Sequence, residues 1–113
     1  MTNPNRGEVW TVYLDPTRGH EQAGSRPCLV LSVNEFNHGR AGLVVVLPIT
    51  SRIRNIPSHV PLPRGEAGLR QGSVVKCEEV RCISKERLAT RWGAVAPSTI
   101  SAIESRVRLI LGL

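Results

Sequence analysis

Short apolar runs broken by turn-forming residues constrain the fold of this chain more than any other feature. Eight prolines and ten glycines are spread through 113 residues, valine is the most frequent apolar residue, and aromatic residues make up only 4%. Prolines and glycines favour turns, and branched side chains suit the pleated surface of a sheet. The pattern predicts a mostly β fold of short strands, in a single domain over residues 1–113, because a chain of this length has room for one core.

Four segments are predicted to form strands of one sheet. Residues 9–14 alternate between apolar and polar side chains, as in a half-buried strand, whereas residues 28–33 and 43–49 are almost continuously apolar, as in central strands. Val60 and Leu62 are interleaved with prolines, which cannot donate to a strand ladder, so they predict a short edge strand. The predicted connections are a turn over residues 34–42 and a loop over residues 63–72.

The rest of the chain predicts a bent strand, a last strand and a helix. The alternation over residues 73–83 changes phase near Glu78 and Glu79, where a bulge would turn the next apolar side chains inward. Pro97 suits the first turn of a helix, and apolar residues recur after it at three- and four-residue steps until Gly112. The residues expected to face inward are Val75, Cys77, Val80 and Cys82 in the strand, and Ile100, Ile103, Val107 and Ile110 in the helix. The predicted elements between them are one helical turn over residues 85–88, capped by Ser84, and a strand over residues 89–95. These elements predict a small β-barrel with short helices.

The charge points to a nucleic-acid partner. The net charge of +6 comes from 13 arginines and two lysines against nine acidic residues. Arginine presents a planar fork that binds phosphate bidentately and stacks on bases. RNA or DNA is therefore the favoured partner, although the same composition also fits arginines spread over a solvated surface. No apolar run approaches the ~18 residues that span a bilayer, and the first residues carry no signal-peptide pattern, so we expect a cytoplasmic protein without a membrane contact.

The cysteines and two of the histidines are predicted to have no chemical role. Cys28, Cys77 and Cys82 are odd in number, show no C-x-x-C spacing and lie in apolar or alternating stretches. This pattern indicates buried free thiols rather than disulfides or a zinc site. His38 and His59 stand apart from other titratable residues, so we expect them on the surface.

A glycine-flanked loop between the first two strands holds the densest set of chemically useful side chains. They are Arg18, His20, Glu21, Gln22 and Arg26. Cleaving RNA requires a base for the 2′-hydroxyl proton, a positive charge near the phosphorane and an acid for the departing 5′-oxygen. The loop offers candidates for all three tasks.

A second polar cluster directly follows the strand over residues 43–49. It consists of Thr50, Ser51, Arg52 and Arg54. A hydroxyl at a strand end can donate to a phosphate oxygen while flanking arginines bind neighbouring phosphates. An ordinary polar turn is the alternative interpretation of this cluster.

The acidic residues argue against a metal-dependent nuclease. Asp15 is the only aspartate, and the eight glutamates do not form the carboxylate cluster that two-metal nucleases use. No metal or other cofactor is therefore expected. Glu8, at the start of a strand, is expected to bind a backbone amide or an arginine.

Three stretches resemble the MazF/PemK toxins. They are residues 6–10 (RGEVW), residues 15–27 (DPTRGHEQAGSRP) and residues 48–51 (PITS). The later stretches Glu79-Val80-Arg81 and Arg87-Leu88 also fit, so the match runs in order along nearly the whole chain. The resemblance implies an SH3-like small barrel of the MazF/PemK/CcdB type that forms a homodimer. It also implies sequence-specific, metal-independent cleavage of single-stranded RNA (mRNA), which leaves a 2′,3′-cyclic phosphate and a 5′-hydroxyl. A cognate MazE-like antitoxin, with an acidic tail that covers the RNA groove, is the implied protein partner.

The resemblance also implies roles for individual residues. Arg26 and Thr50 match the catalytic arginine and threonine of the family, and Glu21 matches an acidic position implicated in activity. We expect Arg26 and Thr50 to lie side by side, because each is next to the end of a predicted neighbouring central strand. An arginine with a pKa above ~12 is a poor base, so Arg26 is expected to stabilise the phosphorane.

Two positions depart from the pattern of the family. His20 stands where many relatives have serine, so it is a further catalytic candidate in this chain. Glu79 stands where a glutamine is common, within the otherwise matching Glu79-Val80-Arg81 stretch. We expect Glu79 and Arg81 to contact RNA in the groove, with contacts altered from those of the family.

Two other functions are compatible with a basic barrel. A non-catalytic nucleic-acid-binding barrel would need the basic surface but not the pair Arg26 and Thr50. A gyrase-poisoning toxin of the same fold would act through its C-terminal helix and would not need the loop over residues 21–27, whose motif is intact here.

Overall fold

Seven antiparallel strands and a C-terminal helix make up the part of the chain that the structure, a computed structural model, describes: residues 3–14 and 24–113. The strands are β1 (Glu8–Leu14), β2 (Gly24–Val30), β3 (Leu43–Thr50), β4 (His59–Leu62), β5 (Ser73–Lys76), β6 (Arg81–Ser84) and β7 (Leu88–Ala94). The helices are α1 (Asn34–Asn37) and α2 (Pro97–Leu111), and short 3-10 turns cover Glu66–Gly68, Cys77–Glu79 and Lys85–Arg87. The predicted mostly β fold class with short helices is confirmed.

The strands form one strongly connected antiparallel sheet. Their order is β4-β5-β3-β2-β1-β7, and β6 pairs with β3 beside β5. The 3-10 turn Lys85–Arg87 joins β6 directly to β7. The run β6-β3-β2-β1-β7 therefore has its two edge strands joined by one short turn, which makes the sheet barrel-like. β4 lies at the edge of the sheet, as the prolines around Val60 and Leu62 predicted.

The change of phase predicted near Glu78 and Glu79 corresponds to a break between β5 and β6, which pair with successive parts of β3. β3 pairs with β6 as far as Val46 and with β5 from Ile49 onward. Extra residues lie between β5 and β6, and they form the 3-10 turn Cys77–Glu79. Pro48 lies at the interruption, where the ladder on that side is broken and a residue without an N–H group is tolerated.

The turn decides which side chains of this bent strand are buried. Val75 and Cys77 are fully buried and Val80 is half-buried, as predicted. Cys82 is exposed, so the prediction of a buried thiol there is wrong. The turn resets the alternation, and Ile83 takes the inward position instead.

Apolar side chains cover both faces of β2 and β3. On one face, which we call the barrel cluster, the buried residues are Val12, Cys28, Val30, Val44, Val46, Ile83 and Leu88. On the opposite face, which we call the helix cluster, Leu29, Leu47 and Ile49 pack with Ile103 and Val107 of α2 and with residues of β4, β5 and the loop before β5. Burial of both faces explains why these two strands have almost continuously apolar sequences.

Helix α2 is capped at both ends. Pro97 lies in its first turn, and Gly112 ends it with φ of 72°, a left-handed conformation that glycine adopts without strain. The N-terminal cap comes from the loop before β5. There the Glu66 carboxylate accepts hydrogen bonds from the Ala96 backbone amide (3.2 Å) and the Thr99 hydroxyl (2.6 Å). This loop is thereby attached to the helix.

The inward face of α2 is shorter than the sequence predicts. Ile103 and Val107 are buried and Ile100 is half-buried, as expected. Ile110 is 42% exposed, so its predicted burial is wrong, because the last turn of the helix extends beyond the helix cluster.

Two predicted boundaries also differ. β2 covers Gly24–Val30 rather than residues 28–33, because the residues before Cys28 pair with β1. The helix α1 occupies part of the predicted turn over residues 34–42. Asn37 holds this helix in place through two hydrogen bonds of 2.8 Å. Its side-chain amide donates to the Ser32 backbone carbonyl, and its backbone carbonyl accepts from the Lys85 ammonium group. The predicted cap at Ser84 is confirmed, since its hydroxyl accepts from the Glu86 amide.

His59 is buried, contrary to the predicted surface position. Its pairing opposite Lys76 brings it beside the turn Cys77–Glu79, where its Nε2 lies 3.0 Å from a carboxylate oxygen of Glu78. This neighbour is far away in sequence, so no local pattern revealed it. His38 is exposed, as predicted.

Candidate active site

A cleft of about 410 Å³, lined by both polar and apolar side chains, opens where β2 and β3 extend past their last common pair. Residues 25–27 of β2 form one wall, and residues 49–51 at the end of β3 form the next. The loop before β5 contributes residues 69–71, and Ser73 and Trp92 complete the lining. Residues of β2, β3, the start of β5 with the loop before it, and β7 therefore meet at one concave surface.

Arg26 and Thr50 line this cleft together, although 24 positions separate them in sequence. The last residues that pair between β2 and β3 are Cys28 and Pro48. Arg26 and Thr50 each lie two residues beyond this pair, and residues two apart in a strand point to the same face. Sheet register thus accounts for their proximity.

The hydroxyl of Thr50 is arranged so that it can donate to a ligand. Its Oγ1 accepts a hydrogen bond from the Arg52 backbone amide at 3.1 Å, which closes a small turn at the strand end. A hydroxyl that accepts one bond still has its hydrogen to donate. The polar turn and the phosphate donor considered for this segment are therefore compatible.

The Arg26 guanidinium supplies positive charge to the same cleft. Arg26 is half-buried, and none of the carboxylates in residues 3–14 and 24–113 forms a salt bridge with it. Burial raises the pKa of the neighbouring Cys28 thiol to about 12; the charges of Arg81 and Arg26 oppose this rise, and that of Glu79 adds to it. These three charged groups thus lie within electrostatic range of one buried sulfur atom.

The other predicted RNA contacts that the structure describes are not all in the cleft. Ser51 lines it, whereas Arg52 and Arg54 are exposed in the segment that follows β3. Arg81 lies in β6 opposite Val46, and Glu79 forms a salt bridge with Lys76 at 2.5 Å. Their contacts with RNA stay predictions. Four further predicted residues, Arg18, His20, Glu21 and Gln22, lie outside the described residues.

Several cleft residues are not among the site residues predicted from the sequence, and three of them have side chains suited to binding a ligand: Arg70, Gln71 and Trp92. The sequence predicts only a connecting loop for the segment that holds Arg70 and Gln71, and only a strand for the segment that holds Trp92. One sequence signal could have identified Trp92: it is one of only two tryptophans in the chain and lies between Arg91 and Gly93.

Two glycines hold the loop wall of the cleft against β7. A Cβ atom at Gly68, which has φ of +78°, would lie 2.6 Å from the Trp92 carbonyl oxygen. A Cβ atom at Gly93 would lie 2.9 Å from the Ala67 carbonyl carbon. Because these contacts involve backbone atoms, any side chain at either position would push the loop away from β7.

Glu8 is a structural residue, as expected. Its carboxylate accepts hydrogen bonds from the Asn5 backbone amide (2.7 Å), the Trp10 indole (3.0 Å) and Arg91 (2.7 Å). Burial by itself raises the pKa of Glu8, but these hydrogen bonds and the Arg91 charge outweigh it and lower the pKa. The carboxylate therefore joins the N-terminal segment, β1 and β7.

Glu8→Gln should lower the free energy of unfolding at neutral pH. The free energy of unfolding of the variant should also fall less as the pH is lowered. A carboxyl whose pKa is lower in the folded state stabilises the fold above the unfolded value of about 4.3, and this contribution is lost as pH falls through the folded pKa. We expect a loss of about 1 to 3 kcal/mol at pH 7, typical of hydrogen bonds to a charged group. Urea unfolding at several pH values from 7 to 3 measures both effects, with Glu86→Gln on the exposed surface as control. Parallel pH curves for Glu8→Gln and the unaltered protein would contradict this role.

Two further findings concern the described residues only. Among them, no three His, Cys, Asp or Glu side chains are grouped so that they could hold a metal ion. None of their helices is long and apolar enough to cross a membrane.

Fold and cleft together define a small basic protein with a barrel-like sheet and a cleft lined by arginine and hydroxyl side chains. The sequence profile of the PemK-like, MazF-like toxins of type II toxin-antitoxin systems matches residues 5–111. The endoribonuclease MazF9 of Mycobacterium tuberculosis is 35% identical over 114 residues, which cover 96% of each chain.

Solved structures give the same result. A crystal structure of MazF from Deinococcus radiodurans has a TM-score of 0.86 and 29% identity, and the match covers 100% of both chains. An endoribonuclease from a mycobacterial species, in complex with its cognate antitoxin, has a TM-score of 0.79 and 26% identity, with 97% of this chain and 96% of that chain covered. This chain belongs to the PemK-like, MazF-like toxin family.

Proposed function

We propose that this chain is an mRNA interferase: an endoribonuclease that cleaves single-stranded RNA at specific sequences, without a metal ion, in the cleft formed by β2 and β3. The observation that carries this proposal is the presence of Arg26 and Thr50 in one cleft, at positions that match the catalytic residues of the family. The activity of the relative MazF9 favours a nuclease over a non-catalytic barrel or a gyrase-poisoning toxin.

In the proposed reaction, the RNA 2′-oxygen attacks the adjacent phosphorus and the bond to the 5′-oxygen breaks. The guanidinium of Arg26 stabilises the charge that builds up on the phosphorane oxygens, and the hydroxyl of Thr50 donates to one of them. A base takes the proton of the 2′-hydroxyl, and an acid gives one to the 5′-oxygen. His20 and Glu21 are the candidates for these two roles. The products are a 2′,3′-cyclic phosphate and a 5′-hydroxyl.

The protein partners follow from the family and the charge. A type II toxin is inhibited by a protein antitoxin, and we propose a MazE-like partner whose acidic segment occupies the basic RNA groove. We also propose that two copies form a homodimer. The end of α2 supports association, because Leu109, Leu111 and Leu113 are 77%, 54% and 80% exposed. Acting on messenger RNA, the toxin would work in the cytoplasm.

Cleavage of a long single-stranded RNA by the purified protein should proceed in excess EDTA, because the proposed chemistry uses no divalent ion. Sequencing of the new 5′-hydroxyl ends should identify one short recognition sequence. Activity that requires added magnesium would contradict the metal-independent mechanism. RNA that is bound but never cut, even without antitoxin, would contradict the enzymatic function itself.

A further inference from the structure

Trp92 is placed unusually for a strand residue of this protein. β1 and β7 pair at Val9 with Gly93 and at Trp10 with Arg91, so one step along β1 corresponds to two along β7. Trp92 is the extra residue of this β-bulge. Bulges occur next to active sites, where they redirect a side chain, and this one places Trp92 in the wall of the cleft.

The indole ring is held in a fixed position. Its N–H donates to the Thr11 hydroxyl at 2.6 Å, so its polar atom is already satisfied by the protein. Trp92 as a whole is still 36% exposed. On the backbone side, the close approach of Gly68 to the Trp92 carbonyl fixes the bulge. The ring is therefore preorganised and partly open to the cleft before any ligand arrives.

From this arrangement we propose that Trp92 is a stacking platform for an RNA base next to the scissile phosphate, a role that rests on the proposed RNA cleavage. A nucleotide combines a flat aromatic base with a phosphate, and the cleft combines an open indole with Arg26 and Thr50. Single-stranded RNA is commonly bound by stacking its unpaired bases on aromatic side chains. An acidic peptide would use the arginines but would have no need of a flat ring.

The same cleft offers groups that can read the edge of the stacked base. Arg70 and Gln71 line it, and both side chains are exposed. Arginine can donate to guanine and glutamine can bond adenine bidentately, whereas stacking discriminates little because every base has a π face. Trp92 thus supplies affinity and position, and its neighbours supply selectivity.

The test uses a short RNA that spans a mapped cleavage site and carries a 2′-O-methyl group at the scissile nucleotide, so that it binds but is not cut. Trp92→Leu should weaken binding by about 5- to 150-fold, the cost of losing one stacked base. Trp92→Phe keeps a ring and should bind more tightly than Trp92→Leu. An RNA in which one base beside the scissile phosphate is replaced by an abasic site should bind the unaltered protein more weakly. The same replacement should not reduce the RNA affinity of Trp92→Leu any further.

Several results would contradict the proposed stacking role of Trp92. These are unaltered affinity of Trp92→Leu, equal affinities of the Leu and Phe variants, or abasic effects that are the same with and without Trp92. Weaker antitoxin binding with unaltered RNA affinity would assign the ring to the protein partner instead. If Trp92→Leu does not fold, Thr11→Val frees the ring while leaving β7 unchanged, and it should also weaken RNA binding. Normal affinity of that variant would count against the platform.

These outcomes can be separated from a failure of the proposed function. Cleavage and tight binding that survive in Trp92→Leu would remove only the platform. Absence of cleavage by the unaltered protein would remove the proposed function, whatever Trp92 does.

Discussion

Arg26→Ala should slow RNA cleavage by about 10²- to 10³-fold, the usual cost of deleting a preorganised donor to a charged transition state. Arg26 lines the cleft, and no carboxylate among the described residues forms a salt bridge with it. Binding of the 2′-O-methyl RNA should fall much less, because the other arginines still attract the phosphates. Single-turnover cleavage and equilibrium binding separate the two effects.

Arg40→Ala is the matched control. Arg40 is exposed in the connection between α1 and β3 and does not line the cleft, so its loss removes the same charge from another place. Cleavage by this variant should be close to normal. Near-normal cleavage by folded Arg26→Ala protein would mean that the reaction takes place elsewhere.

Thr50→Val should reduce the cleavage rate by about 10²-fold or more, since it removes a hydroxyl donor while keeping the volume and branching of the side chain. The Arg52 amide that binds Thr50 is exposed and can bond water instead, so the fold should be retained. Thr50→Ser keeps the hydroxyl and should keep most of the activity. Equal losses in the Val and Ser variants would show that the methyl group, and not the hydroxyl, is required.

The sequence predicted those parts of the fold that depend on local patterns. Continuous apolar runs identified β2 and β3 as central strands because both faces are buried, and three- and four-residue spacing identified α2. The strand ends, together with the family motif, also predicted that Arg26 and Thr50 would meet. Periodicity sufficed for the strands and the helix because each of these patterns lies within one segment, whereas the meeting of Arg26 and Thr50 also required β2 and β3 to be neighbours.

The features that the sequence did not predict depend on contacts between distant segments. Burial of His59 requires Glu78 across a turn, and exposure of Cys82 depends on how many residues that turn contains. The cleft wall depends on Trp92 meeting Thr11 and Gly68, which lie in separate elements. None of these contacts leaves a periodic signal within one segment.

The shared position of β2 and β3 between the two apolar clusters has a consequence for how the protein unfolds. Leu29 and Leu47 pack into the helix cluster while Cys28 and Val46 pack into the barrel cluster, so the same backbone supports both. Neither cluster can come apart without exposing the back of the other, and the two should melt as one cooperative unit. Arg26 and Thr50, two residues beyond the last pair of these strands, are thereby anchored to backbone that both clusters hold in place.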